Sequence, residues 1–299
     1  MPRRKSRRVD GVRLWSVAMT AVVCLAIAGA IVYLLLGSTE ALRKEGWAFF
    51  TTANWSYRHE EFGAASMLFG SAAVALLALI MSVPIAIFAA VFMSEMCTRR
   101  LRVILKVAVE LLAGIPSVVY GLLGVLFLRE WIGDLFERFE VDALSADTLL
   151  TAGALLAAMV LPTIATLADD ALNAVPRAVR EGARALGLTR AETIVTVVMP
   201  HAAPALIGSV LLGFGRAIGE TIAVFLVVGR ADNRPMSFQA LFDAGQTLTS
   251  KLGGSETNIA VGDPTHSSAM VALGMILLLA VLAVTFVADA LRRRMTEAR

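Results

Sequence analysis

The sequence predicts an all-α, polytopic membrane protein with six spans, on three observations. Hydrophobic residues make up 58% of the 299-residue chain and charged residues 17%, where soluble domains average about 45–50% and about 25%. The mean hydropathy of +0.74 excludes a disordered polar chain, which has few apolar residues. Six stretches free of Asp, Glu, Lys and Arg run for 26, 33, 18, 21, 23 and 25 residues, near the roughly 20 that a helix needs to cross a bilayer.

These stretches fall between Arg13 and Glu40, Glu61 and Glu95, Glu110 and Arg129, Asp147 and Asp169, Glu192 and Arg216, and Asp263 and Asp289. They predict helix cores at 14–36, 66–93, 103–128, 149–168, 203–229 and 268–288. Helices are expected because hydrocarbon offers backbone groups no partner. The long Leu, Ala and Val runs also lack the ten-residue alternation of a membrane barrel. The first stretch is longer than a secretory signal core and stays mostly apolar from Ile31 to Gly37, so it reads as an uncleaved helix.

Basic residues orient the chain. With the N-terminus inside, inner segments hold eighteen Lys or Arg and outer loops eight, leaving Arg216 within a helix. By the positive-inside rule both termini are expected on the cytoplasmic face of the inner or plasma membrane. The net charge of +3 then reflects topology, not nucleic-acid binding. The expected organisation is a basic segment at 1–13, a transmembrane domain at 14–291 and a tail at 292–299. The domain includes a cytoplasmic loop at 169–200 and an outer loop at 230–267.

Several chemistries are excluded. There is no Gly-Lys dipeptide, so no GxxxxGK[ST] phosphate loop, and any ATP hydrolysis belongs to a partner. His59, His201 and His266 form no HExxH pattern, and no GxSxG elbow exists. Cys24 and Cys97 lie at different membrane levels, giving no expected disulfide or metal site. The chain is expected to be neither an enzyme nor a carrier of its own cofactor.

The most informative soluble stretch is 169–200. Asn173 and Pro176 suit a helix start. Arg177, Arg180 and Arg184 recur at helical spacing, with Val175, Val179, Gly182, Ala183 and Leu186 on the other side before a stop at Gly187. Thr189 to Glu192 then reads as a T-x-x-E capping box opening a second helix that runs to Pro200. Composition alone also fits a basic helix lying on anionic headgroups.

Within this loop Glu181, Gly182, Ala183, Gly187, Val197, Met199 and Pro200 resemble the signature E-A-A-x3-G-x9-I-x-L-P of ABC importer permeases, with Gly182, Val197 and Met199 as modest departures. The resemblance implies a coupling helix that docks on a cytoplasmic ATPase, with Glu181, Gly182, Ala183, Gly187 and Pro200 as its coupling residues. Two further segments, PSVVYG at Pro116–Gly121 and GRAIGETIAV at Gly215–Val224, are similar to phosphate permeases, more to the PstC branch than the PstA branch. The similarity extends over roughly residues 14–290.

That resemblance implies a heterodimer with a PstA-type subunit, two PstB-type ATPases binding ATP-Mg inside, and a PstS-type phosphate-binding protein outside. It also implies half of an anion path, with Arg216 and Glu220 as its charged pair and Thr221, Ser117 and Tyr120 adding hydroxyls. Permeases for sulfate or molybdate share such a coupling loop and remain an alternative. An ion-coupled secondary transporter also places ionisable residues near midplane, but the loop signature argues against it.

The residues themselves support roles for these positions. Pro116 removes a backbone donor and frees the carbonyl of Leu112, with Ser117 and Tyr120 beside the distorted turn. Pro84 and Pro162 are expected to kink their helices in the same way. A charge at the bilayer centre costs roughly 2.5–3.5 kcal/mol, so Arg216 is expected to point into the bundle, where Glu220 one turn on can neutralise it, an ion pair that is the structural alternative to a transport role. The Arg216 fork suits an oxyanion, and Glu220 can accept the proton of hydrogen phosphate. Lys106 and Glu110 are expected to pair along their helix, and Gly215 with Gly219 to permit close helix approach.

Overall fold

The computed structural model describes residues 7–141, 145–234 and 236–297. The basic residues within 1–6 and Arg299, counted in the charge asymmetry, lie outside the described residues.

Four predicted spans are present as expected: α1 (Arg7–Gly37), α4 (Ala65–Val91), α8 (Leu149–Asn173) and α15 (Pro264–Glu297). Pro84 lies inside α4 and Pro162 inside α8, each without interrupting its helix. The helices α1 and α15 absorb most of the two segments expected to flank the membrane domain. The remaining two spans are broken. α5 (Arg99–Ala113) and α6 (Ser117–Leu123) replace the single helix expected at 103–128, and α11 (Met199–Gly219) and α12 (Ile222–Val227) replace the one expected at 203–229.

Packing centres on α8, two thirds of whose apolar window is buried, whereas α1 buries none of its own. Lipid tails are as apolar as leucine, so association depends on close contact between small residues. Gly153 of α8 sits on Leu77 of α4, and Gly213 of α11 sits on Ile164 of α8, each too tightly for a Cβ. Around them Val74, Ala78, Leu156, Val160 and Ile164 are almost fully buried. Gly215 and Gly219 face open space instead, which corrects the expected packing motif.

One end of the bundle carries α2 (Thr39–Glu45), α3 (Ala48–Thr51), and a hairpin of β1 (Trp55–Ser56) and β2 (Glu61–Phe62) in antiparallel register, Trp55 opposite Phe62. After the second broken span come α13 (Leu248–Leu252) and α14 (Glu256–Ala260). Buried Lys251 donates to Asp232 and Glu256, both at 2.7 Å, while the Trp55 indole donates to Glu256 at 2.9 Å. Near-total burial of a lysine is tolerated because both carboxylates pair with it. His266 of α15 stacks on Phe62 with ring centroids 5.3 Å apart, joining the hairpin to the last helix.

The opposite side holds α9 (Arg177–Ala185) and α10 (Arg190–Thr193). Here the second helix of the loop does not end at Pro200. It passes through a π turn at Ile194–Val198 straight into α11, with Pro200 just beyond that turn. Lys106 also departs from expectation. It reaches Asp170 at 2.6 Å and buried Asp169 at 3.7 Å instead of Glu110, and Arg102 binds Asp169 at 3.0 Å. The fully buried Asp169 must be paired and takes Arg102 at the shorter distance, while Lys106 closes on the exposed Asp170 beside it.

Candidate functional site: two helix breaks and a coupling loop

The interruptions in the two broken spans arise from local sequence. α5 ends at Gly114, and Ile115 precedes a proline, which disfavours the helical region. Pro116 takes φ −58° and ψ 140°, and the axis turns by 88° before α6 and the helix that continues it, α7 (Arg129–Arg138), carry the chain on. In the other span Gly219 ends α11, Glu220 is extended at φ −71° and ψ 125°, and the helix restarts after Thr221.

The helices that follow the two breaks pack together. A Cβ on Gly121 of α6 would fall 3.0 Å from the Ala223 Cα of α12, and one on Gly124 would fall 3.0 Å from Val227 Cγ1. Two glycines one helical turn apart therefore let α6 lie directly on α12. Ser117 and Tyr120 flank one break, while Arg216, Glu220 and Thr221 flank the other.

The Tyr120 hydroxyl donates to the carbonyl of Leu112 at 3.0 Å, the carbonyl that Pro116 deprives of its helical partner, and the Ile115 amide shares it at 3.2 Å. Arg216 is exposed within the chain, and its Nη1 donates to Thr163 Oγ1 at 3.0 Å. Among the described residues no ion pair joins Arg216 to Glu220. The expected pairing needed an unbroken turn, and the extended backbone at Glu220 removes it. Ser117 and Thr221 are half-buried, and Thr221 Oγ1 bonds back to the Gly219 carbonyl at 3.3 Å. The arrangement offers one accessible guanidinium, one carboxylate and several hydroxyls where two helices have opened.

The loop forms the helix-turn-helix its sequence predicts. Gly187 has φ +91°, the left-handed value that a Schellman-type stop requires, and Leu188 N closes on the Ala183 carbonyl. Thr189 and Glu192 complete the capping box. Glu181, Gly182 and Pro200 are exposed, Ala183 is buried, and no atom approaches a Cβ built on Gly182 or Gly187. Leu186, expected on the packed side, is 84% exposed at the tip.

Sequence reasoning missed what holds this loop in place. Arg180 turns inward and donates to Glu95 at 2.9 Å and to the carbonyls of Leu172 and Val175 at 2.6 and 2.7 Å. Arg190 donates to the Glu95 carbonyl. The available signal was Glu95 itself, the single acidic residue closing the longest uncharged stretch. Thr163, half-hidden behind Pro162, carried no such signal.

A six-span bundle with two broken helices and an exposed helix-turn-helix on one face defines a membrane permease. The family described as binding-protein-dependent transport system inner membrane component matches residues 82–297, and the chain belongs to that family. It is 34% identical over 292 residues to the phosphate transport system permease protein PstC of Mesorhizobium japonicum, covering 93% of this chain and 86% of that one. It is 35% identical over 271 residues to the PstC of Pasteurella multocida, covering 86% and 83%. Among solved structures, one of the MetNI methionine ABC transporter in inward-facing form aligns with a TM-score of 0.61 at 18% identity, over 77% of this chain and 94% of that one. A chain of a bacterial alginate ABC transporter aligns at 0.57 and 17% identity, over 98% and 99%. These last two support the fold alone.

Proposed function

We propose that the chain is the non-catalytic membrane subunit of an ATP-driven importer of inorganic phosphate and forms half of the anion path. The observation that carries this reading is Arg216, an exposed guanidinium in the last turn of a broken apolar helix, held by a single neutral hydroxyl and so with donors to spare for an oxyanion. The names of the relatives supply the anion. Glu220 stands free of Arg216, so it can accept the proton of hydrogen phosphate, which fully ionised sulfate lacks. Tyr120, Ser117 and Thr221 complete the polar lining.

In this reading a PstA-type subunit covers the exposed faces of α5 and α6, and a PstS-type protein delivers phosphate to the outer side. A PstB-type ATPase dimer binds ATP-Mg and receives α9 and the exposed Leu186. The termini and the loop at 169–200 face the cytoplasm. The test is reconstitution of the four-component complex in vesicles. Phosphate-loaded binding protein should stimulate ATP hydrolysis and accumulate labelled phosphate, and excess sulfate or molybdate should not compete. Competition by sulfate, or no response to phosphate, would overturn the assignment.

A further inference from the structure

The cytoplasmic ends of three helices converge on one side chain. Glu95 lies in a π turn, Phe92–Met96, that ends α4, and it is 6% exposed. The wider ring of that turn, closed by Cys97 N on the Phe92 carbonyl at 3.0 Å, carries the carboxylate under the coupling loop. Arg180 of α9 fills its guanidinium with three acceptors from two other elements: Glu95 Oε1, and the carbonyls of Leu172 and Val175 at the end of α8. Arg190 of α10 takes the Glu95 main-chain carbonyl from the other side of the turn at Gly187.

Both arms of the helix-turn-helix are therefore bonded to the same residue, and that residue belongs to neither. Three residues beyond Glu95, at Thr98, the chain enters α5, the helix that leads into the break at Gly114–Pro116. A displacement of α9 thus has two routes into the bundle. One runs along the covalent chain through α10 and the π turn at Ile194–Val198 into α11. The other runs through the bonds of Arg180 into the junction of α4 and α5.

We infer that Glu95 is the positioning residue through which the coupling helix drives the α4–α5 junction, so that both broken spans are moved from one anchor. The inference rests on the importer reading above. A guanidinium with three acceptors in a fixed fork transmits translation and rotation together, which a single contact would not. Burial of both partners, at 6% and 16% exposure, keeps solvent from dissolving the link during a cycle.

The experiment is a double-mutant cycle on the reconstituted four-component complex, reading phosphate accumulated per ATP hydrolysed. Glu95→Ala and Arg180→Ala should each lower that ratio at least fivefold while hydrolysis persists and the subunits still co-purify. The double variant should be no worse than the poorer single one, because both remove the same link. Additive losses, or an unchanged ratio in either single variant, would overturn the inference. If the alanine variants fail to assemble, Glu95→Gln decides alone. It keeps the volume but loses the charge, and should lower the ratio several-fold, whereas a wild-type ratio refutes the role. Absence of phosphate transport by the wild-type complex would refute the importer reading instead, a different failure.

Discussion

Tyr120 and Leu112 are joined across the break in the first broken span, the phenolic hydroxyl donating to the carbonyl that Pro116 leaves without its helical donor. In hydrocarbon such a carbonyl has no water to turn to, and here the Tyr120 hydroxyl and the Ile115 amide share it. Tyr120→Phe keeps the ring and removes only this bond. Transport should fall several-fold with assembly intact, and measuring uptake in vesicles with matched subunit levels checks it.

Arg216→Leu and Glu220→Leu should each abolish phosphate uptake while the subunit still reaches the membrane and co-purifies with its partners. Thr163→Val, which removes the hydroxyl that holds Arg216, should give an intermediate loss, and Thr163→Ser should restore it. Wild-type uptake by Arg216→Leu would make the guanidinium a structural group only.

Gly187→Leu forces a branched side chain into φ +91°, costing roughly 1–3 kcal/mol of local strain. No atom of the chain itself stands in the way of the new side chain, so the bundle should insert normally. Hydrolysis should continue without matching uptake, and the ratio of the two rates in vesicles is the readout.

Orientation is open to single-cysteine labelling after Cys24 and Cys97 are replaced. A membrane-impermeant maleimide added from outside should miss Arg184→Cys and modify Ser255→Cys, both exposed positions. The reverse pattern would invert the topology.

Beside the hairpin, burial works to raise the pKa of Glu256, but bonds from Lys251, Trp55 and His266 outweigh it and hold the carboxyl below the ordinary value of 4.5. A depressed value means that this stabilisation is complete above the ordinary value and lost as pH falls through the folded one. Protonation would leave buried Lys251 with Asp232 as its carboxylate partner and loosen the Trp55 indole. Fluorescence of a variant retaining only Trp55 should therefore change below pH 4.5. Glu256→Gln should flatten that profile and destabilise the packing around Lys251 and Trp55 by roughly 1–3 kcal/mol at neutral pH.

Much of this was legible in the chain because bilayer thickness is a blunt ruler. The uncharged stretches located every span, and the capping box at Thr189–Glu192 and the glycine at 187 described the loop down to its turn. The same ruler is blind to continuity, since PSVVYG and GRAIGETIAV are apolar enough to pass as unbroken helix. Pro116 announced the distortion at the first break, but at the second only Gly219 hinted that Glu220 would leave helical geometry. Cross-helix partners were illegible for a different reason. Lys106 has Glu110 in helical register, yet the buried Asp169 and its neighbour Asp170 win, and that competition exists only once α5 and α8 are side by side.

The unburied first span has a consequence for biosynthesis. Within its own chain α1 packs on α15, a helix far later in the sequence, and on the short α2 that follows it. Once inserted, α1 must therefore wait in the bilayer until that distant neighbour has been synthesised. A nascent chain halted before Pro264 leaves α1 in lipid without it and exposed to quality-control proteolysis.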